Sequence, residues 1–232
     1  MKSLLLCSTT LLAAASLMAA DKDDVASAAQ KLAAADNYSW TTTMEGGQNT
    51  PAPSHGKTQK DGLVWQDFTM RDNTVEAFVM SGKGAIKTQD GWQSLDDAAK
   101  DDGGGGPNFR RFLVMRLRSF KAPAAQAEEL AGQTKDLAKA DDVYAGSLTE
   151  EGAKSLLTFG RRGAQAPTVS NAKGSVKFWI KDGVLTKYQT KVSGTVTFNG
   201  NDRDIDRTTT VEIKDVGATK ITVPDDAKSK MT

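Results

Sequence analysis

The chain offers little to a catalytic site. It has one histidine, His55, and one cysteine, Cys7, in 232 residues. Ser-His-Asp and Cys-His nucleophiles need a histidine beside them, and zinc sites need several His or Cys ligands. His55 sits among Pro51, Pro53 and Gly56, which reads as an exposed loop with an inert histidine. Paired carboxylates can hydrolyse glycosidic bonds without histidine. Glu45, Asp67 and Glu76 are the candidates, but they stand beside strand-forming stretches with polar neighbours and read as solvated. Two acidic clusters, Asp96-Asp97 with Asp101-Asp102, and Asp202 with Asp204 and Asp206, could bind calcium weakly. Neither has the ordered loop of a calcium motif, and the second lies along the wet side of an alternating strand. The Gly103–Gly106 run is not followed by Gly-Lys-Ser/Thr and lacks a strand–loop–helix frame, so it reads as a linker and not a phosphate loop. The expectation is a protein that is not an enzyme, with no catalytic residue, no cofactor and no metal.

The N-terminus explains the cysteine. Lys2 precedes an uncharged, mainly apolar core from Leu4 to Met18, then Ala19-Ala20 and the charged Asp21-Lys22-Asp23-Asp24. This pattern is expected of a secretory signal over residues 1–20, cut after Ala20 or alternatively after Ala15. Cys7 falls inside it, preceded by Leu6 where a lipoprotein cysteine needs a small residue, so neither a disulfide nor a lipid anchor is expected. Without residues 1–20 the chain holds 29 basic and 29 acidic residues. Zero net charge gives no global field for nucleic acid. A periplasmic or secreted protein is expected, with residues 21–232 as one domain carrying a helical insertion at about 107–140.

The elements follow from hydrophobic periodicity. Residues 24–35 carry a narrow stripe of Val25, Ala28, Ala29 and Leu32, which predicts a helix. Strands are expected over 38–44, 62–70, 74–80 and 84–88, with a loop over 45–55. Residues 96–107 are expected to be a hinge. Residues 108–121 form the one strongly amphipathic helix: Phe109, Phe112, Leu113, Leu117 and Phe120 share a side, while Arg110, Arg111, Arg118 and Lys121 lie elsewhere. That helix could touch an anionic membrane or lipid headgroup; its plainer reading is a lid or core helix with arginines extending to water. A weaker helix is expected over 124–138, a strand over 143–148, a helix over 149–159 and a loop over 161–172.

The C-terminal stretch 174–223 is an antiparallel meander. Tyr188, Val192, Val196 and Phe198 alternate with polar Lys187, Gln189, Lys191, Ser193, Thr195 and Thr197. After Asn199-Gly200 the alternation resumes through Ile205, Val211 and Ile213, and Asp182-Gly183 marks an earlier hairpin turn. Strands at both ends with helices between them give an α+β fold.

The segments VKFWIKDG (176–183), LTKYQTKVSG (185–194) and DVGATKITVPDDA (215–227), with an N-terminal helix followed by strands, resemble the LolA/LolB-type periplasmic lipoprotein carriers and the related LppX-type lipid-binding proteins. The resemblance implies a curved antiparallel half-barrel sheet with helices covering its concave face, and a cavity for acyl chains. It makes 108–121 a lid (Phe109, Phe112, Leu113, Leu117, Phe120) and Val192, Val196, Phe198, Val211 and Ile213 the cavity wall. The implied function is a non-enzymatic carrier of a lipid or other apolar ligand in the cell envelope, with transient membrane or envelope-protein contact. The alternative is a structural or protein-interaction module whose cavity is filled by its own side chains.

Overall fold

A computed structural model describes residues 10–46, 50–70, 73–100, 109–158, 167–198 and 200–231. In chain order the elements are α1 (Thr10–Ala33), β1 (Asn37–Glu45), β2 (Ser54–Gln59), β3 (Val64–Met70), β4 (Asn73–Met80), β5 (Lys83–Thr88), β6 (Gly91–Ser94), α2 (Leu95–Lys100), α3 (Phe109–Arg118), α4 (Pro123–Gly132), β7 (Ala138–Ala140), β8 (Val143–Ser147), α5 (Glu150–Leu157), β9 (Thr168–Lys181), β10 (Val184–Phe198), β11 (Asn201–Lys214) and α6 (Asp225–Lys228). The strands form one antiparallel sheet in the order β6-β5-β4-β3-β2-β1-β11-β10-β9-β8-β7. The two end strands do not pair with each other, so the sheet is open and fits the α+β half-barrel class expected from the sequence. Backbone contacts divide the chain into two compact units, one of Met1–Lys31 with Ala127–Thr208 and one of Leu32–Gln126 with Thr209–Thr232.

The second unit is built on β3, β4 and β5, whose apolar residues fall at both parities. Ala77 pairs with Ile86, and Phe78 pairs with Ala85. Adjacent residues of a strand point to opposite faces, so both faces of β4 are apolar and both must be covered. On one face Ala77 and Ile86 pack with Leu95 and Ala98 of α2 and with Leu113, Val114 and Leu117 of α3. On the other, Phe78 and Ala85 pack with Ala227 of α6, flanked by Trp65, Trp92, Ile221, Val223 and Met231. The C-terminal segment therefore caps one side of β4 while α2 and α3 cap the other.

Two elements here differ from the sequence expectation. Residues 45–55 were expected as a loop and 56–59 were given no element; residues 54–59 form β2, pairing with β1 and β3. SHGKTQ holds no large apolar residue; its inward positions are Gly56 and Thr58, both buried. Gly56 lies directly beneath the Trp40 indole, where even a Cβ would collide with the ring. Residues 96–100 were expected within the hinge and instead, with Leu95, form α2. Ser94 accepts from the Asp97 amide at 3.0 Å and donates to its carboxylate at 2.7 Å, a reciprocal helix cap. That contact, more than Lys100, holds the Asp97 carboxyl below its usual range. The rest of the expected hinge, 101–107, lies outside the described residues.

In the first unit a row of rings crosses three strands: Tyr144 pairs with Phe178, and Phe178 with Tyr188. Between Leu185 and Lys187 the register of β10 shifts by one residue. Such a bulge flips side-chain parity, which is why odd-numbered Leu185 and even-numbered Tyr188 are both buried. The Asp182-Gly183 turn is as expected, with both residues at positive φ, 54° and 72°. Helix α5 starts at Thr149, whose hydroxyl accepts from the Gly152 amide at 3.0 Å. Helix α4 ends at Gly132 rather than near 138, and residues 138–140 form the short β7. Glycine has poor helix propensity, and Thr134 folds back to donate to the Leu130 carbonyl at 2.7 Å. Strand β9 begins at Thr168, inside the expected loop; residues 159–166 lie outside the described set.

Helix α1 begins at Thr10, well before the expected start at residue 24. Residues 11–20 are almost entirely Leu, Ala, Ser and Met, which propagate a helix without a break. Among the described residues no helix is long and apolar enough to cross a membrane.

Replacing Gly56 by alanine is expected to lower stability by about 1–3 kcal/mol, because Trp40 must leave its place. Urea unfolding of Gly56→Ala against the parent measures it, and an unchanged midpoint would show that the indole has room to move.

Candidate functional site

The face of β3–β6 that carries Ala77 and Ile86 also carries two glutamines. Gln66 pairs with Ala77, Ala77 with Ile86, and Ile86 with Gln93. These four residues form one row on the side covered by α2 and α3, with the two amides about 14 Å apart at three strand spacings. On the same face Phe68, Val75 and Val79 pack at the margins of the apolar cluster. The Arg116 guanidinium lies 6.0 Å from the centre of the Phe68 ring. Nε2 of Gln66 and Oε1 of Gln93 are fully buried and have no hydrogen-bond partner among the described residues. Each such atom costs about 1–3 kcal/mol in a finished core. A donor at one end and an acceptor at the other suit a guest that brings both a carbonyl and a hydroxyl.

The opposite face holds the sequence's carboxylate and histidine candidates, brought together and satisfied. Asp67 and Glu76 are cross-strand partners. Oδ1 of Asp67 accepts from the His55 amide at 2.7 Å and lies 3.0 Å from Nδ1 of the same residue. Glu76 accepts from the Trp65 indole at 2.9 Å and from Lys87 at 3.4 Å. Lys57 stands over Trp65 and Lys87 over Trp92, at 5.2 and 5.7 Å from the ring centres. Each carboxylate thus has its own cation or donor, and cation–π contacts tie the lysines to the sheet. His55 remains exposed, but on a strand rather than in a loop. In the other unit Asp202 accepts from Thr197 at 2.6 Å, Asp204 from Thr195 at 2.7 Å, and Asp206 pairs with Lys191 at 3.8 Å. The three aspartates are spread along β11, each with its own partner. Among the described residues no group of three or more His, Cys, Asp or Glu side chains could hold a metal ion.

The side chains expected as lid and wall are placed as follows. Leu113 and Leu117 are buried together over Ala77 and Ile86, joined by Val114. Phe120 stacks on Trp40 at 5.8 Å between ring centres. Phe112 is half-buried, and the Phe109 side chain lies outside the described residues. On β11, Val211 is buried and Ile213 half-buried; in the other unit Val192 is buried, Val196 half-buried and Phe198 is 47% exposed. Gln66 and Gln93 escaped the sequence reading. The available signal was a polar residue at the parity of Val64 and Phe68, masked because Trp65 makes the opposite parity apolar too.

The first unit has a polar recess of about 290 Å³ lined by Asp24, Lys31, Lys139, Asp142 and Tyr144 among others. Its groups serve one another: the Tyr144 hydroxyl donates to Asp24 at 2.9 Å, and the Lys139 amide to Asp21 at 3.3 Å. Burial, then the Asp24 contact, raises the Tyr144 pKa. Such a lining suits water and closes β7 and β8 onto α1; it does not suit an acyl chain.

No family model matches the chain, and no curated protein does. Solved structures do. LprF from Mycobacterium bovis is 11% identical, with 90% of this chain and 98% of that one covered at a TM-score of 0.48. The lipoprotein LppX from Mycobacterium tuberculosis is 10% identical, covering 89% and 99% at 0.47. A LolA superfamily protein from Nitrosomonas europaea is 6% identical, covering 91% and 97% at 0.32. The likeness is to the LolA and LppX type.

Next to the covered face, Tyr38 shows how dry this unit is. Its ring lies 5.9 Å from Trp40, its hydroxyl accepts from the Ala124 amide at 3.4 Å, and burial pushes its pKa from 10.0 up to about 12. The folded state therefore holds the phenol proton more tightly than the unfolded chain does. The resulting stability is complete below pH 10.0 and is lost as pH rises towards about 12. Over that window the parent is expected to lose up to about 3 kcal/mol more than Tyr38→Phe, measured as the difference between their denaturant midpoints at each pH.

Proposed function

We propose that this protein binds and carries a lipid-like apolar ligand, without catalysis, and that the ligand lies on the Gln66–Gln93 face under α3. One observation carries the reading: two buried amide atoms lack partners among the described residues, on a largely apolar face that is closed by an amphipathic helix. A guest with acyl chains would take the place now held by Leu113, Val114 and Leu117, gaining ~0.8 kcal/mol per buried CH₂. Its ester or hydroxyl oxygens would satisfy the two glutamines. The cell envelope, as a periplasmic or secreted protein, is where such a carrier would work, given the signal-like N-terminus. Movement of α3 is the step that admits the ligand.

A second reading is a protein-interaction or structural module with a self-filled interior. The same three side chains favour it, because they already occupy the floor made by Ala77 and Ile86.

Gln66→Leu separates the two. The first reading expects lipid to co-purify with the parent, seen by native mass spectrometry and lipid extraction, and affinity for that lipid to fall at least about fivefold in the variant. The second expects a clean protein mass, no uptake of fluorescent fatty acids, and a variant more stable by about 1 kcal/mol because a buried orphan has been removed. That second set of results would end the carrier proposal.

A further inference from the structure

Helix α3 has a second side that the packed core does not explain. Leu113, Val114 and Leu117 define its buried stripe. With 3.6 residues per turn, Met115 and Ser119 fall at the opposite pole, with Arg111 and Arg118 along one border and Arg116 along the other. All five are exposed. Met115 is 54% exposed, more than Phe198 at 47%, Val216 at 46% or Met80 at 40%, the other exposed large apolar residues among those described. Residues 109–121 contain five basic side chains and no acidic one, in a chain whose formal net charge is only +1. The positive charge is therefore local to this helix. Arg118 pairs with Asp96 of α2, and the Arg116 guanidinium turns to the Phe68 ring, where burial lowers its pKa.

We infer that the outward face of α3 docks on the surface of an anionic lipid bilayer. An apolar side chain bordered by arginines is the arrangement that an interfacial helix uses, with the apolar residue entering the acyl boundary and the guanidinium groups meeting phosphates. The helix is ten residues long, about 15 Å, so it lies along the surface and does not enter the bilayer. A protein partner fits less well. A stable protein interface needs roughly 800 Å² from each side, and a single convex helix face with one apolar side chain offers much less. Attraction of basic residues to a charged bilayer works residue by residue and needs no shaped groove. Docking is independent of any ligand beneath α3: it concerns the outer side chains, while Gln66 and Gln93 lie under the inner ones.

The test is co-sedimentation of the full chain with vesicles of phosphatidylcholine alone and with phosphatidylglycerol added. Binding is expected to be stronger on the anionic vesicles and to weaken as salt is raised. Arg111→Gln is expected to weaken it about fivefold, the worth of one basic residue at such a surface, and Met115→Ser to weaken it further. Both positions are exposed, and an unchanged thermal midpoint confirms that each variant is folded. The apolar N-terminal residues are the same in every protein, so any affinity they lend to neutral vesicles cancels. Equal binding to both vesicle types, insensitivity to salt, or variants that bind like the parent would each overturn the inference. Lipid uptake measured in vesicle-free solution is a separate readout, so loss of docking with uptake intact leaves the carrier reading standing, and the converse leaves the docking standing.

Discussion

At Ala77 and Phe78 strand β4 has to be dry on both sides, and most of the second unit follows from that. Its neighbouring residues Ala77 and Phe78 point to opposite faces, and each meets a partner of complementary size on β5: small Ala77 beside large Ile86, large Phe78 beside small Ala85. Each face thus presents one bulky side chain and one shallow site. The shallow site at Ala77 is where α3 comes close; the one at Ala85 is where the C-terminal segment lies with Ala227. Neither cover is optional, because uncovering either side would put Ile86 or Phe78 in water. The two covers come from distant parts of the chain, one from its middle and one from its end.

Helix α3 links the two functional ideas through its own cross-section. Its inner stripe is apolar and meets a face where one atom of each of two glutamine amides lacks a partner among the described residues; its outer stripe is basic around an exposed methionine. A helix whose only task was to seal a core would be expected to carry a mixed-charge outer surface. Here an acidic partner sits on α2 instead, where Asp96 pairs with Arg118. Exposed pairs of this kind contribute roughly 0–1 kcal/mol, so the hold of α2 on α3 is mainly the apolar contact of Leu95 and Ala98.

The C-terminal meander was legible because one of its faces is wet. Lys187, Gln189 and Lys191 alternate with Tyr188, Thr190 and Val192, and the burial follows that pattern. The Leu185 side chain departs from it only because a bulge intervenes. Strands β3 and β4 were recognisable as strands, but which residues faced which cover was not, since Val64-Trp65 and Phe78-Val79 leave no polar parity to read. Strand β2 was invisible: SHGKTQ is a strand because Gly56 gives Trp40 a place to lie, a tertiary reason with no local trace. For the same cause the amphipathic helix was identified with its buried Leu113 and Leu117, while Gln66 and Gln93, which make its underside chemically interesting, were not. Their meaning depends on register across four strands, and register is a property of pairs.

The ordering of the sheet also has a temporal side. Strand β1 neighbours β11, and Ser39 near the start of the chain bonds the Lys214 carbonyl and the Asp215 carboxylate near its end. Closing so long a loop must precede any reward from the contacts it makes. Until the last strand has been delivered, β1 has a free edge on the side away from β2, and an unpaired edge beside Trp40 and Tyr38 is a template for other chains. The first strand thus waits for β11 before it can be fully paired, and the interval is one in which a holding chaperone would have a clear target.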